Sequence, residues 1–280
     1  MRIFKERESL HNYLSGLRRQ DSTIGFVPTM GALHAGHLSL LETAAKQCDV
    51  VVCSIFVNPL QFNDRQDFEK YPVNTTEDIA KLLGTDTDIL FLPSVDEVYN
   101  QGTLDLAGYD FSDLETRWEG SFRPGHFQGV AQVMARLLEA VRPHLLFMGQ
   151  KDLQQLLIID ELIRMLSLDT ELICCPTLRE PDGLAMSSRN LRLSPEARQK
   201  APLIHQTLLF IEDNLYQVPF AELIKQGMAQ LEKAGFQVDY LAIVGKKNLQ
   251  PVEQPTDESM VCLVAAWLDG IRLIDNQPLN

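Results

Sequence analysis

No stretch of this 280-residue chain approaches the roughly 18 apolar residues that crossing a bilayer requires, so no membrane role is expected. The opening MRIFKERESLHNYL has no apolar signal-peptide core, which sets the expectation of a cytoplasmic protein. Cysteine is scarce. Five residues, at 48, 53, 174, 175 and 262, form an odd set without metal-ligand spacing, so reduced thiols are expected rather than a disulfide framework. Positive charge is scarce as well. The 25 Lys and Arg stand against 38 Asp and Glu, a net charge of −13, and such a field repels nucleic acid. It repels a nucleotide too, so a phosphate site here must gather its own local cations and amides. Internal repeats and low-complexity segments are also missing.

What is present is a globular composition, 45% hydrophobic and 22% charged, with length for one large domain or two modest ones. Short apolar runs at 23–28, 49–57, 88–93, 144–149 and 171–176 alternate with helical patterns near 37–47, 75–84, 128–141 and 152–166. That alternation predicts a parallel sheet covered by helices on both faces. The interval 94–127, rich in Gly, Asp and Ser, is too long for a bare loop and predicts a small subdomain or lid. After Pro176 the pattern changes. Ser194, Pro195 and Glu196 open a helical stretch, a second helix covers 219–234, and runs at 236–244, 260–267 and 271–275 read as an antiparallel sheet. The fold class is therefore α/β: a Rossmann-like parallel-sheet domain over 1–177 and a smaller α+β C-terminal domain over 178–280.

Ligands of open parallel sheets bind at the carboxyl ends of strands, near the point where strand order reverses. Four strand ends carry polar groups there. The first, VPTMGALHAGH, places Gly31, Gly36, His34 and His37 at a helix start, with the histidines three apart on one side and outward N–H groups expected around them. Three readings suit the pair: a cap beside a packed surface residue, a zinc site lacking a third ligand, or two imidazole donors for phosphate. The second, FVNPLQF, offers the amides Asn58 and Gln61. The third, MGQKDLQQ, offers Gly149 for close approach, the cation Lys151, Asp152 as a cap or acceptor, and Gln155 one helical turn on. The fourth, REPDGLAMSSRN, sets Ser187, Ser188 and Arg189 in a turn suited to closing over phosphate. Arg123, in SFRPGHFQGV, is a candidate carboxylate or phosphate partner, and Glu77–Asp78 is either a solvated helix face or a partner for Mg2+.

Six segments in this order, VPTMGALHAGH, SIFVNPLQF, RPGHFQGV, GQKDLQQ, REPDGLAMSSRN and VAAWLDGIRLIDN, make the chain resemble the pantothenate synthetase (pantoate–β-alanine ligase) family over essentially its whole length. More broadly it resembles the nucleotidyltransferase superfamily, with HAGH and MSSR in the phosphate-binding places. The resemblance implies a magnesium-dependent ligase in a cytoplasmic homodimer. ATP and (R)-pantoate would give pantoyl adenylate and pyrophosphate, and β-alanine would then displace AMP. It implies an ATP site of Met30, Gly31, Ala32, Leu33, His34, Ala35, Gly36 and His37, with Gly149, Gln150, Lys151 and Asp152, completed by Leu178, Met186, Ser187, Ser188 and Arg189. His37 takes the place of the proton donor, with His34 and Lys151 beside it. Gln61 takes the place that contacts pantoate and β-alanine, and Gln155 the one that contacts pantoate. Two positions depart from the family pattern, Val73 after Tyr-Pro and Met148 before Gly149. A transferase that uses the same phosphate site on a phosphorylated substrate, and a silent ATP sensor, are the competing readings.

Overall fold

The structure, a computed structural model, describes residues 1–62, 65–99, 102, 106 and 108–279. Two compact units are present: Met1–Gly149 with Gln155–Cys175, and Gln150–Gln154 with the chain from Pro176 onward. The short segment 150–154 thus clusters with the second unit, where sequence alone assigns it to the first.

In the first unit the chain runs β1 (Arg2–Phe4), α1 (Arg7–Arg18), β2 (Ile24–Thr29), α2 (Ala35–Ala45), β3 (Val50–Ile55), α3 (Arg65–Glu69), α4 (Thr75–Leu82), β4 (Ile89–Phe91), α5 (Val95–Val98), α6 (Glu119–Phe122), α7 (His126–Val141), β5 (Leu145–Gly149), α8 (Leu153–Met165) and β6 (Glu171–Cys175). These strands are all parallel, in the order β1-β4-β3-β2-β5-β6. Alternate residues explain the two covered faces. Val27, Val51, Cys53, Ile55, Leu90 and Phe147 pack with Leu40, Leu41 and Ala44 of α2 and Leu82 of α4. The intervening Ile24, Phe26, Val52 and Leu146 are fully buried as well. Gly25 is required by that packing, because a Cβ there would lie 2.7 Å from Cys48 Sγ and 3.1 Å from Phe147 Cε2.

The sequence predicts five parallel strands, and six are found among the described residues. β1 is a three-residue edge strand with exposed positions, too short to show a period, and α1 behind it buries only Leu10 and Leu14. The buried stripe of α2 is Leu40, Leu41 and Ala44, and the helix ends before Cys48. Within 94–127 the structure places α5, α6 and a 3₁₀ turn over Ser112–Glu115, while residues 100, 101, 103–105 and 107 of the expected subdomain or lid lie outside the described residues.

The second unit holds α9 (Pro195–Lys200), α10 (Leu203–Asp213), α11 (Phe220–Lys233) and an antiparallel meander of β7 (Gln237–Gly245), β8 (Met260–Leu268) and β9 (Ile271–Leu279). Leu208, Ile211, Leu223 and Leu231 pack on Ile243, Cys262 and Val264 to form its core. Ser194 caps α9, its hydroxyl accepting from Ala197 N at 3.3 Å, with Pro195 at the first position. Pro202 then breaks the expected single helix into α9 and α10, since proline has no N–H to donate.

None of the five cysteines is in a disulfide, and only Cys174 is exposed. Burial pushes the Cys53 thiol up to about 12, and Cys48 and Cys175 to about 11. Alkylation with iodoacetamide at pH 8, read by intact mass and peptide mapping, should give one rapid adduct at Cys174, and the other four only after denaturation. Because the folded values lie above the ordinary 9.0, stability should fall as pH rises from about 9 toward 11–12, where unfolded thiols ionise and folded ones do not. Several rapid adducts on the folded protein would contradict this packing.

Candidate active site

From β2 the strands step outward through β3 to β4, and β5 then returns to the other side of β2. The switch point is the gap between β2 and β5, which pair Gly25 with Leu145 and Phe26 with Leu146, so their carboxyl ends share one edge.

The turn leaving β2 is held from inside. Thr29 Oγ1 donates to Ser54 O at 2.8 Å and accepts from Gly31 N at 3.2 Å. Ala32 N donates to Asp78 Oδ2 at 2.9 Å and Leu33 N to Asp78 Oδ1 at 2.7 Å. Gly31 (φ +80°) and Ala32 (φ +49°) are both left-handed, and a Cβ on Gly31 would meet Asp78 Oδ2 at 2.9 Å and Ile55 Cγ2 at 3.1 Å. The glycine is therefore demanded by α4 beneath it, whatever approaches from outside. Lys81 secures the same loop by donating to Leu33 O at 2.8 Å.

The histidines close the helix start. Gly36 N donates to His34 Nδ1 at 3.1 Å, and His34 N donates to His37 Nδ1 at 3.3 Å, a reciprocal capping box. The rings lie 4.0 Å apart, centroid to centroid. An imidazole nitrogen that accepts a backbone N–H carries no proton, so each ring holds its proton on Nε2. The expectation of several outward backbone N–H groups is thus corrected. Those of Gly31, Ala32, Leu33, His34 and Gly36 all donate within the protein.

At the end of β3, Asn58 is buried and uses all four of its amide positions. Its Oδ1 accepts from Leu60 N at 3.2 Å and Tyr99 OH at 2.8 Å, and its Nδ2 donates to Gly129 O at 3.0 Å and Gln61 Oε1 at 3.3 Å. Gly129 lets α7 pass this turn, because a Cβ there would sit 2.1 Å from Leu60 O. Gln61 is held at its backbone: its carbonyl accepts from His126 Nδ1 at 2.7 Å and Arg123 Nη2 at 3.5 Å. Its side-chain Nε2 donates to Met30 Sδ, which joins the second strand end to the first. Gln155 stands half-buried on α8.

The second unit carries the remaining candidates. Gln150–Asp152 form a 3₁₀ turn with Lys151 Nζ 3.8 Å from Asp152 Oδ2. Leu178 O accepts from Met186 N at 3.0 Å and Arg179 bridges Ala185, so Leu178 and Met186 face each other in a small hairpin. Ser187 Oγ then accepts from Arg189 N at 3.3 Å and starts the turn over Ser188–Arg192, while Asn190 Nδ2 donates to Ala185 O at 3.0 Å.

Glu77 and Asp78 do not suit a metal. Asp78 spends both oxygens on backbone N–H groups, and Glu77 pairs with Lys81 at 2.8 Å and accepts from Asn74 at 2.9 Å. Among the described residues no group of three His, Cys, Asp or Glu could hold an ion. Sequence reasoning missed this clamp because its partners lie 45 and 46 residues apart.

A parallel sheet whose order reverses beside a glycine- and histidine-built strand-to-helix turn defines a doubly wound α/β protein with its ligand edge at the switch point. The family model for pantoate-beta-alanine ligase matches residues 2–278. A pantothenate synthetase of Thermotoga petrophila is 44% identical with both chains fully covered, and one of Pseudomonas fluorescens is 43% identical over all of this chain and 98% of that one. The crystal structure of a Thermus thermophilus pantothenate synthetase superposes with a TM-score of 0.92 at 41% identity, covering 99% of each chain. The Francisella tularensis pantoate-beta-alanine ligase, complexed with beta-gamma ATP and beta-alanine, superposes with a TM-score of 0.83 at 35% identity, covering 99% of this chain and 97% of that one. The chain belongs to the pantoate-beta-alanine ligase family, and it is an enzyme of that ligase class.

Removing the Asp78 carboxylate should act on stability. Asp78→Ala leaves the Ala32 and Leu33 N–H groups without their acceptor and should cost about 2–6 kcal/mol in urea unfolding, at about 1–3 kcal/mol for each. Unchanged stability together with a raised Mg2+ requirement would restore the metal reading.

Proposed function

We propose that this chain condenses (R)-pantoate with β-alanine in two displacements driven by ATP, at the edge where β2 and β5 end. In the first, a pantoate carboxylate oxygen attacks the α-phosphorus, and the bond to the β-phosphate bridging oxygen breaks to release pyrophosphate. In the second, the β-alanine amine attacks the acyl carbon of the adenylate. AMP leaves with the electron pair of the broken C–O bond, and the amine sheds a proton. Neither step needs a protein nucleophile; both need placement and charge stabilisation.

The observation that carries this reading is the capping box in which His34 Nδ1 and His37 Nδ1 each accept a backbone N–H. Two neutral rings with Nε2–H on one side of a helix start are donors for oxygens on which charge grows, and the positive end of the α2 dipole adds to them. In this reading His37, His34 and Lys151 are catalytic. The turn Met30–His37 lies along ATP, with Gly149, Gln150 and Asp152, and with Leu178, Met186, Ser187, Ser188 and Arg189. Gln61 and Gln155 orient pantoate, while Asn58 and Arg123 hold the Gln61 turn. Mg2+ would come with the nucleotide, since the acidic pair beside the loop is engaged within the protein. The likeness to the Francisella tularensis complex supports ATP and β-alanine as substrates. The family pattern supports a homodimer in the cytoplasm.

His37→Gln separates cap from chemistry. Glutamine is a usual third residue of a capping box and can accept the His34 N–H, yet it lacks the imidazole donor. Its melting temperature should stay near wild type while the rate falls roughly 10²–10³-fold, the cost of one oxyanion donor. A folded variant with normal turnover would remove His37 from the mechanism. Labelled pyrophosphate should exchange into ATP with pantoate and Mg2+ alone, without β-alanine. Formation of ADP instead of AMP would overturn the adenylate route.

A further inference from the structure

The segment VAAWLDGIRLIDN holds two buried residues that none of the roles above uses, Asp275 and Asn276 of β9. Asn276 Nδ2 donates to two successive carbonyls, Gln150 O at 2.9 Å and Lys151 O at 3.0 Å, and its Oδ1 accepts from Gln150 Nε2 at 3.1 Å. Its own N–H donates to Asp275 Oδ1 at 2.8 Å. Asp275 in turn takes Arg179 in a two-pronged pair, Nη1 to Oδ2 at 2.6 Å and Nη2 to Oδ1 at 3.1 Å. Arg179 Nη1 also donates to Gly183 O at 3.2 Å, and Arg179 bridges Ala185, immediately before Met186 and Ser187. Two neighbouring residues of one rigid strand therefore fasten both the turn that carries Lys151 and the hairpin that leads to Ser187, Ser188 and Arg189.

We infer that Asp275 and Asn276 are positioning residues that fix the distance between the Lys151 cation and the Ser187–Arg189 donors. The inference rests on the proposed ATP role of those two segments. The chemistry suits the task. A primary amide offers two donors, which match the two carbonyls of a tight turn, and a buried carboxylate matches the planar fork of a guanidinium. Loss of Asn276 leaves two part-buried carbonyls without this donor, and loss of Asp275 leaves Arg179 with Gly183 O in place of a carboxylate, so the turn or the hairpin loosens. A displacement of about 1 Å can cost on the order of a hundredfold in rate.

The experiment is a double-mutant cycle of Asn276→Ala with Lys151→Ala, read both in kcat/KM for ATP and in urea unfolding. Asn276→Ala alone should lower kcat/KM for ATP roughly ten- to a hundredfold, with a smaller change in KM for β-alanine. In the Lys151→Ala background the same substitution should have little further effect on ATP kinetics, while its effect on stability persists in full. Should Asn276→Ala not fold, the isosteric Asn276→Asp runs the same cycle, turning acceptors toward the two carbonyls and slowing ATP use at least as much. Kinetic effects that multiply across the cycle, or wild-type ATP kinetics in a folded Asn276 variant, would overturn the positioning role. Wild-type ATP kinetics in Lys151→Ala alone would instead overturn the ATP reading beneath it.

Discussion

The Asp78 carboxylate is the interaction on which the ligand edge depends. A chain leaving a parallel strand and entering a helix must reverse within a few residues, and here it does so through two left-handed positions, Gly31 and Ala32. Those conformations turn the N–H groups of Ala32 and Leu33 inward, toward α4. Asp78 accepts both, and Lys81 of the same helix takes the Leu33 carbonyl. The start of α2 is thereby fixed by the turn. The direction of His34 and His37 follows from that start.

Charge explains why the turn is closed by imidazoles. The chain carries −13 overall, a field hostile to a triphosphate. Neutral Nε2–H donors avoid the desolvation penalty of a buried cation, and backbone N–H groups satisfied from within keep the loop rigid without a ligand. The amide side chains of Asn58 and Gln61 tie the end of β3 to neighbouring turns without adding to the field. Such a site works by placement, which is what two successive displacements on bound reactants require.

Much of this was legible in the sequence. β2, β3, β4 and β5 appeared as apolar runs, because burial removes polar residues from them, and the edge strand β6 appeared as one too. The histidine pair was legible from its spacing alone, since three residues apart at a helix start is one side. β1 was not, because three partly exposed edge residues have no period to read. The clamp role of Asp78 is not legible, since its adjacency to Glu77 suggests only a solvated face or a metal partner and a bond to Leu33, 45 residues away, leaves no local pattern. Asn58 and Gln61 appeared as polar strand-end amides, but the mesh that fixes them runs through Tyr99, His126 and Gly129, all remote in sequence. The anchoring of Lys151 by Asn276, 125 residues on, is invisible for the same reason.

The central claim is that protein hydrogen bonds lock His34 and His37 as neutral rings protonated on Nε2. Long-range ¹H–¹⁵N correlation of the histidine side chains at neutral pH, assigned with single His→Gln variants, measures this directly. The account predicts that both residues show a bare Nδ1 and a protonated Nε2 in the ligand-free protein. A proton on Nδ1 of either ring, or averaging between the two tautomers, would contradict it.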